Sequence, residues 1–115
     1  MSNILSAIDI GSNGIRMMIA EVIQNENQPP FIKEVKKLRS SIRLGKEVFL
    51  DQPISESTIL ESIETFSHFK TMNLKHHVQN CKAVATSALK EAKNKTEFVE
   101  RIEKSTGIKI DIIDG

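Results

Sequence analysis

At 115 residues the chain is one domain-sized unit, and 39% hydrophobic against 27% charged is the balance of an ordinary globular protein. A net charge of +1 argues against a bulk field for nucleic acid or a membrane surface, and the lack of Trp and Tyr removes the aromatic platform on which bases stack. The single Cys81 excludes an internal disulfide, no apolar run nears the roughly 20 residues that cross a bilayer, and the first residues carry no secretory signal, so a cytoplasmic protein without nucleic-acid or membrane partners is expected.

Ile4 to Ile10 is a short apolar run and reads as a buried strand. Asn13-Gly14 between two apolar runs signals a hairpin, because both residues tolerate φ > 0. Ile15 to Ile23 is then the partner strand. Residues 24–30 are polar, end in Pro29-Pro30 and read as a loop. Residues 31–44 read as a third strand with Ile32, Val35, Leu38 and Ile42 as apolar points, although the pattern alone leaves a helix open. This stretch of chain is basic, with Lys33, Lys36, Lys37, Arg39, Arg43 and Lys46 against Glu34. Residues 45–53 read as a connection.

Ser55 is a helix N-cap with Glu56 in the first turn, where the helix dipole favours an acid. Ile59, Ile63, Phe66 and Phe69 then fall on one helical face, with Leu60 beside them, and the helix ends near Asn73. Val78 to Ala85 reads as a strand, and Thr86-Ser87-Ala88 opens a short helical segment. Asn94-Lys95-Thr96-Glu97 resembles a capping box for a helix that buries Phe98, Val99 and Ile102 and stops at Gly107. Ile108, Ile110 and Ile112 alternate with Lys109 and Asp111 as a last strand, which runs into Ile113-Asp114-Gly115. The β-β-β-α-β-α-β order predicts a mixed α/β sheet with helices packed on it, its later strands parallel. An end at an apolar strand that has just delivered an acid to a turn reads as a truncation, so residues 1–115 are expected to be a single lobe of a longer protein.

Three segments carry candidate chemistry. Asp9-Ile10-Gly11-Ser12-Asn13 places a carboxylate before a small polar turn; such a turn lets backbone N–H groups approach an anion, with Ser12 and Asn13 adding side-chain hydrogen bonds. Asp9 would hold Mg²⁺ or its waters, which bridge phosphates, since two anions repel. The same residues also suit a plain hairpin. Arg43-Leu44-Gly45 offers a guanidinium fork matched to phosphate oxygens, or a charged strand edge protected from pairing. Thr86, Ser87 and Lys90 place two hydroxyls and an ammonium at the start of a helix, which suits an anion or simple N-capping. His68, His76 and His77 lack ligand spacing, Cys81 reads as core, and Met17 and Met18 as strand packing.

Together these segments and the final Ile110-Asp111-Ile112-Ile113-Asp114-Gly115 strand, with Ala85-Thr86-Ser87-Ala88-Leu89-Lys90-Glu91-Ala92-Lys93-Asn94 as the most specific, resemble the exopolyphosphatase and guanosine pentaphosphate phosphohydrolase family over essentially the whole chain. The first segment alone is shared with the wider actin, sugar kinase and Hsp70 superfamily. The resemblance implies the first half of a ribonuclease H-like, actin-like N-terminal domain and hydrolysis of terminal phosphoanhydride bonds of polyphosphate or guanosine pentaphosphate with Mg²⁺. It maps Asp9 to the metal and Gly11, Ser12, Asn13, Arg43, Thr86, Ser87 and Lys90 to phosphate. Two positions depart from the family pattern: Gly14 stands where Ser or Thr is usual, and Lys90 where Arg is usual, which keeps the charge but loses the fork. The resemblance places the catalytic glutamate after Gly115 and a second phosphate loop further on. No catalytic residue is therefore expected within the chain, which should bind but not cut.

The alternatives are an ATP-binding member of the same superfamily and a non-enzymatic domain that senses a phosphorylated nucleotide or polyphosphate. A lone lobe would also leave a sheet edge or apolar face open to self-association, homodimerisation included.

Overall fold

The computed structural model describes residues 2–113. Nine elements follow in order: β1 Ser2–Ile10, β2 Ile15–Ile23, β3 Phe31–Ser40, α1 Leu44–Phe49, α2 Glu56–Lys75, β4 Asn80–Ala85, α3 Ser87–Glu91, α4 Lys95–Thr106 and β5 Ile110–Ile112. The strands form one mixed sheet in the order β3-β2-β1-β4-β5. β1, β2 and β3 run antiparallel as a meander, while β4 is parallel to β1 and β5 to β4. The expected mixed α/β sheet with parallel later strands is what the chain forms.

Strand alternation decides the core. Ile8 and Ile10 of β1 and Ile15, Met17 and Ile19 of β2 point to one face and are at most 2% exposed. Ile59, Phe66 and Phe69 of α2, Leu89 of α3, and Phe98 and Ile102 of α4 complete the same cluster. Each fully buried side chain of this size stabilises by about 1.5–3 kcal/mol. Phe66 and Phe69 meet with ring centroids 5.6 Å apart at a 58° tilt, a favourable aromatic geometry. The alternate residues Ala7, Asp9, Arg16 and Met18 stay exposed on the opposite face.

Several local expectations hold and others need correction. Ser55 caps α2 by accepting from the Thr58 N–H at 3.3 Å. Gly107 ends α4 in the left-handed region at φ 76°, its N–H donating to Glu103 O. The hairpin at residues 11–14 forms, but without the positive φ expected at Asn13-Gly14. Among the described residues positive φ falls at Asn27, Asp51, His77 and Gly107. The connection is instead a four-residue loop closed by the Gly11 N–H donating to Gly14 O at 2.9 Å.

The third strand stops at Ser40 rather than Leu44, and the supposed connection contains helix α1. Ile42 and Leu44 are buried, so the chain turns into the core there and cannot continue along the sheet edge. Ile32 and Val35, expected as apolar contacts, are 65% and 41% exposed because β3 is an edge strand. Pairing runs Ile19↔Lys36 and then Ala20↔Glu34, which skips Val35 in a bulge.

Asn94 does not form a capping box. Its Oδ1 accepts from the Ile54 N–H at 2.9 Å and its Nδ2 donates to Ile54 O at 3.0 Å, so the amide is spent on a residue 40 positions away. Glu47 of α1 does the work of a box glutamate for α2 from outside the helix. Its carboxylate accepts from the Ser55 N–H at 2.9 Å and from the Thr58 hydroxyl at 2.7 Å. Partial burial works against the Glu47 charge, and the hydrogen bonds from Thr58 and Ser55 outweigh it, holding this carboxyl below its usual range. Arg101 of α4 grips Glu56 of α2 with two hydrogen bonds of 2.6 and 2.8 Å. These contacts clamp α1, α2 and α4 into one layer.

Candidate functional site: the loop at the carboxyl end of β1

The register brings three segments to one end of the sheet. Ile10, the last residue of β1, pairs with Ala85, the last of β4, so Gly11 and Thr86 leave adjacent strand ends in the same direction. Ser40, the last residue of β3, pairs with Ile15, the first of β2, and so arrives at that end too. In α/β sheets the crevice outside the carboxyl ends of the strands is where ligands bind. The Ile113 N–H donates to Ala85 O at the same end. The acid expected to follow, Asp114, lies outside the described residues.

Loop 11–14 is the centre of this arrangement. Its first N–H closes the turn, while the N–H groups of Ser12, Asn13 and Gly14 take no acceptor among the described residues. Successive unengaged N–H groups in a turn make a concavity for an anion. A depression of about 260 Å³ lies against the loop, lined by Gly11, Ser12, Asn13, Gly14, Arg16 and Arg39.

The loop is seated from below by α1. The Gly45 N–H donates to Ser12 O at 2.9 Å. A Cβ on Gly45 would lie 2.9 Å from Ser12 Cβ and 3.1 Å from Ser12 O, so only glycine allows this approach without a shift. α1 also packs against α3, which follows Thr86. The segments singled out in the sequence therefore touch in series: the loop on α1, and α1 on α3.

Side-chain positions within the site differ. Asp9 points to the open face of the sheet, where its carboxylate is 3.6 Å from the Arg16 guanidinium, both side chains being more than half exposed. Asp9, Arg16 and Arg39 stand directly opposite one another on three adjacent strands. Ser87 and Lys90 are exposed on α3 and Thr86 is half-buried, with no side-chain cap bond from Thr86. Arg43 precedes α1, and its exposed side chain lines a separate groove with Lys46, Glu47, Thr58 and Glu61, away from the loop depression. It is Gly45, two residues on, that reaches the loop.

Sequence reading missed Arg16 and Arg39 as members of the site. Arg16 was within reach, since a hairpin that pairs Ile10 with Ile15 must pair Asp9 with Arg16. Arg39 depends on the β2–β3 register across a bulged pair, for which the sequence carries no turn signal of known geometry.

The donor set bears on a metal. Among the described residues no group of three or more His, Cys, Asp or Glu could hold an ion. Asp9, the carboxylate expected to hold Mg²⁺, is paired with Arg16 on the open face and is not among the residues that line the loop depression.

A model of the Ppx/GppA phosphatase family matches residues 20–115. The chain is 32% identical over 112 residues to a bifunctional 3-dehydroquinate synthase/phosphatase of Fusobacterium nucleatum subsp. nucleatum, covering 96% of this chain and 17% of that protein. It is 27% identical over 113 residues to a guanosine-5'-triphosphate,3'-diphosphate pyrophosphatase of Pseudoalteromonas translucida, covering 98% of this chain and 22% of that one. Among solved structures, an Aquifex aeolicus member of the Ppx/GppA family superposes with a TM-score of 0.88 at 28% identity, over 99% of this chain and 36% of the other. The chain thus spans between 17% and 36% of the length of these proteins.

Proposed function

The chain belongs to the Ppx/GppA phosphatase family, and from that premise we propose that it forms the phosphate-binding wall of a phosphoanhydride hydrolase acting on the terminal phosphate of inorganic polyphosphate or guanosine pentaphosphate. The observation that carries this reading is the loop at 11–14, with three unengaged N–H groups, bordering a depression that Arg16 and Arg39 also line. Backbone N–H groups and guanidinium forks both favour oxyanions, and they gain strength when charge builds on a transferring phosphoryl group. Gly11, Ser12 and Asn13 hold one phosphoryl group in this reading. Thr86, Ser87 and Lys90 flank it from the neighbouring strand end, whereas Arg43, expected as a phosphate ligand, lines the separate groove beside α1 and takes no part in this reading.

Mg²⁺ at Asp9 would neutralise phosphate charge when bound. Asp9 would hold the ion through its waters, with Arg16 3.6 Å away on the same open face. The attacking water takes its base from a glutamate beyond Gly115 in this proposal, so residues 1–115 bind phosphate without cutting it as one lobe of the hydrolase. A cytoplasmic setting agrees with the lone Cys81, and among the described residues no helix is long and apolar enough to cross a membrane. The exposed Phe31, Ile32 and Val35 of edge strand β3 support self-association as a homodimer.

Titration calorimetry of the chain with tripolyphosphate and Mg²⁺ tests the reading. Ser12→Ala and Asn13→Ala together should weaken binding about tenfold, a loss of roughly 1.4 kcal/mol. Binding that ignores both substitutions, or that favours ATP over tripolyphosphate, would sink it.

A further inference from the structure

Three cations border the open face beside the loop, and their partners differ. Arg16 is engaged by Asp9 at 3.6 Å, and Lys37 by Glu34 at 3.1 Å. Arg39 forms no ion pair among the described residues. Its guanidinium nevertheless lies against the phosphate loop. A Cβ on Gly14 would come within 3.7 Å of Arg39 Nε and 3.0 Å of Ser40 O. The missing side chain at position 14 is thus what allows the end of β3 to close on the loop and bring the guanidinium to its rim.

Resting on the reading that loop 11–14 binds phosphate, we propose that Arg39 is a specificity-determining residue that grips the phosphoryl group next to the one held by the loop, and so selects a linear phosphate chain over a single phosphate. A guanidinium presents its donors as a rigid fork that fits two oxygens of one phosphoryl group. The loop residues Gly11 to Gly14 and Arg39 of β3 line the same depression of about 260 Å³, so one phosphoryl group on the loop leaves its neighbour beside Arg39. Protection of a sheet edge by charge, the other use of basic residues on β3, predicts no such difference between positions along the strand. Lys36 is exposed on the same strand, opposite Ile19, and does not line the depression, which makes it the internal control.

The test compares tripolyphosphate with orthophosphate by calorimetry on the full 115-residue chain, for the unsubstituted protein, Arg39→Ala, Arg39→Lys and Lys36→Ala. Arg39→Ala should weaken tripolyphosphate binding by about 10- to 100-fold and orthophosphate binding by less than about twofold. Arg39→Lys should recover part of the loss, because it keeps the charge without the fork. Lys36→Ala should change neither ligand by more than about twofold. Independently of any substitution, the Arg39 Nε–H resonance should shift on titration with tripolyphosphate and not with orthophosphate. If the unsubstituted chain binds neither phosphate, the loop reading itself fails and the Arg39 assignment with it. If it binds tripolyphosphate and Arg39→Ala binds equally well, or if Lys36→Ala loses as much as Arg39→Ala, the loop reading stands and the assignment to Arg39 is overturned.

Discussion

The two faces of the β1–β2 hairpin are made from alternate residues of the same strands and have opposite chemistry. One face carries Ile8, Ile10, Ile15, Met17 and Ile19, sealed under the helices. The other carries Ala7, Asp9, Arg16 and Met18, open to solvent beside the loop. A strand reverses its side-chain direction at each residue, so buried and solvent-open positions are divided one residue at a time rather than between separate regions. Substitutions on the covered face should therefore be read in melting temperature, and substitutions on the open face in ligand affinity.

Phe66→Ala should break the covered face most severely, with a loss of about 3–5 kcal/mol in denaturant unfolding, because Phe66 is wholly buried against Phe69 and the strands. Asn94→Ala should follow at about 1–3 kcal/mol, since it strands the N–H and C=O of Ile54, a residue 2% exposed. Gly45→Ala should cost about 1–2 kcal/mol by overpacking Ser12. It should also weaken tripolyphosphate binding, which would show that the loop takes its shape from α1; unchanged affinity in calorimetry would count against that coupling.

Acid should act on the helical layer. The folded-state pKa of Glu47 lies below its ordinary 4.5, so its contribution is fully present above that value and is lost as pH falls through the folded pKa. Melting temperature should drop on acidification below about 4.5, and in Glu47→Gln the acid-dependent part of the drop should shrink. The smallest stability change belongs to the open face. Asp9→Asn should alter unfolding free energy by less than about 0.5 kcal/mol, since its ion pair with Arg16 is exposed. The same substitution should abolish the Mg²⁺ dependence of tripolyphosphate binding. A large destabilisation with Mg²⁺ dependence intact would reverse the assignment of the two faces.

Much of the hairpin and of the helix ends was legible in the residues. The apolar run at 15–23, the Ser55 cap and the Gly107 stop all rest on signals local to the chain. The loop at 11–14 was found from its small residues, although its backbone avoids the positive φ that Asn13-Gly14 suggested. α1 was missed because Leu44 to Phe49 is too short to show a helical period. Asn94 misled for a related reason: its place before a helix looked like a cap, but its amide found the Ile54 backbone once the helices had packed.

What the residues determined by themselves is the position of the polar loop and of the strands on either side of it, because both follow from neighbours along the chain. What tertiary structure alone decided is which distant groups meet that loop: Gly45 beneath it, Thr86 beside it and Arg39 at its rim. The last case shows the reason. Pairing of Ile15 with Ser40 puts Arg39 opposite Arg16 on the open face, and the bulge at Val35 then changes the parity of the residues before it. A slip of one residue in that pairing would turn Arg39 toward the helices, and no local pattern in residues 31–40 distinguishes the two registers.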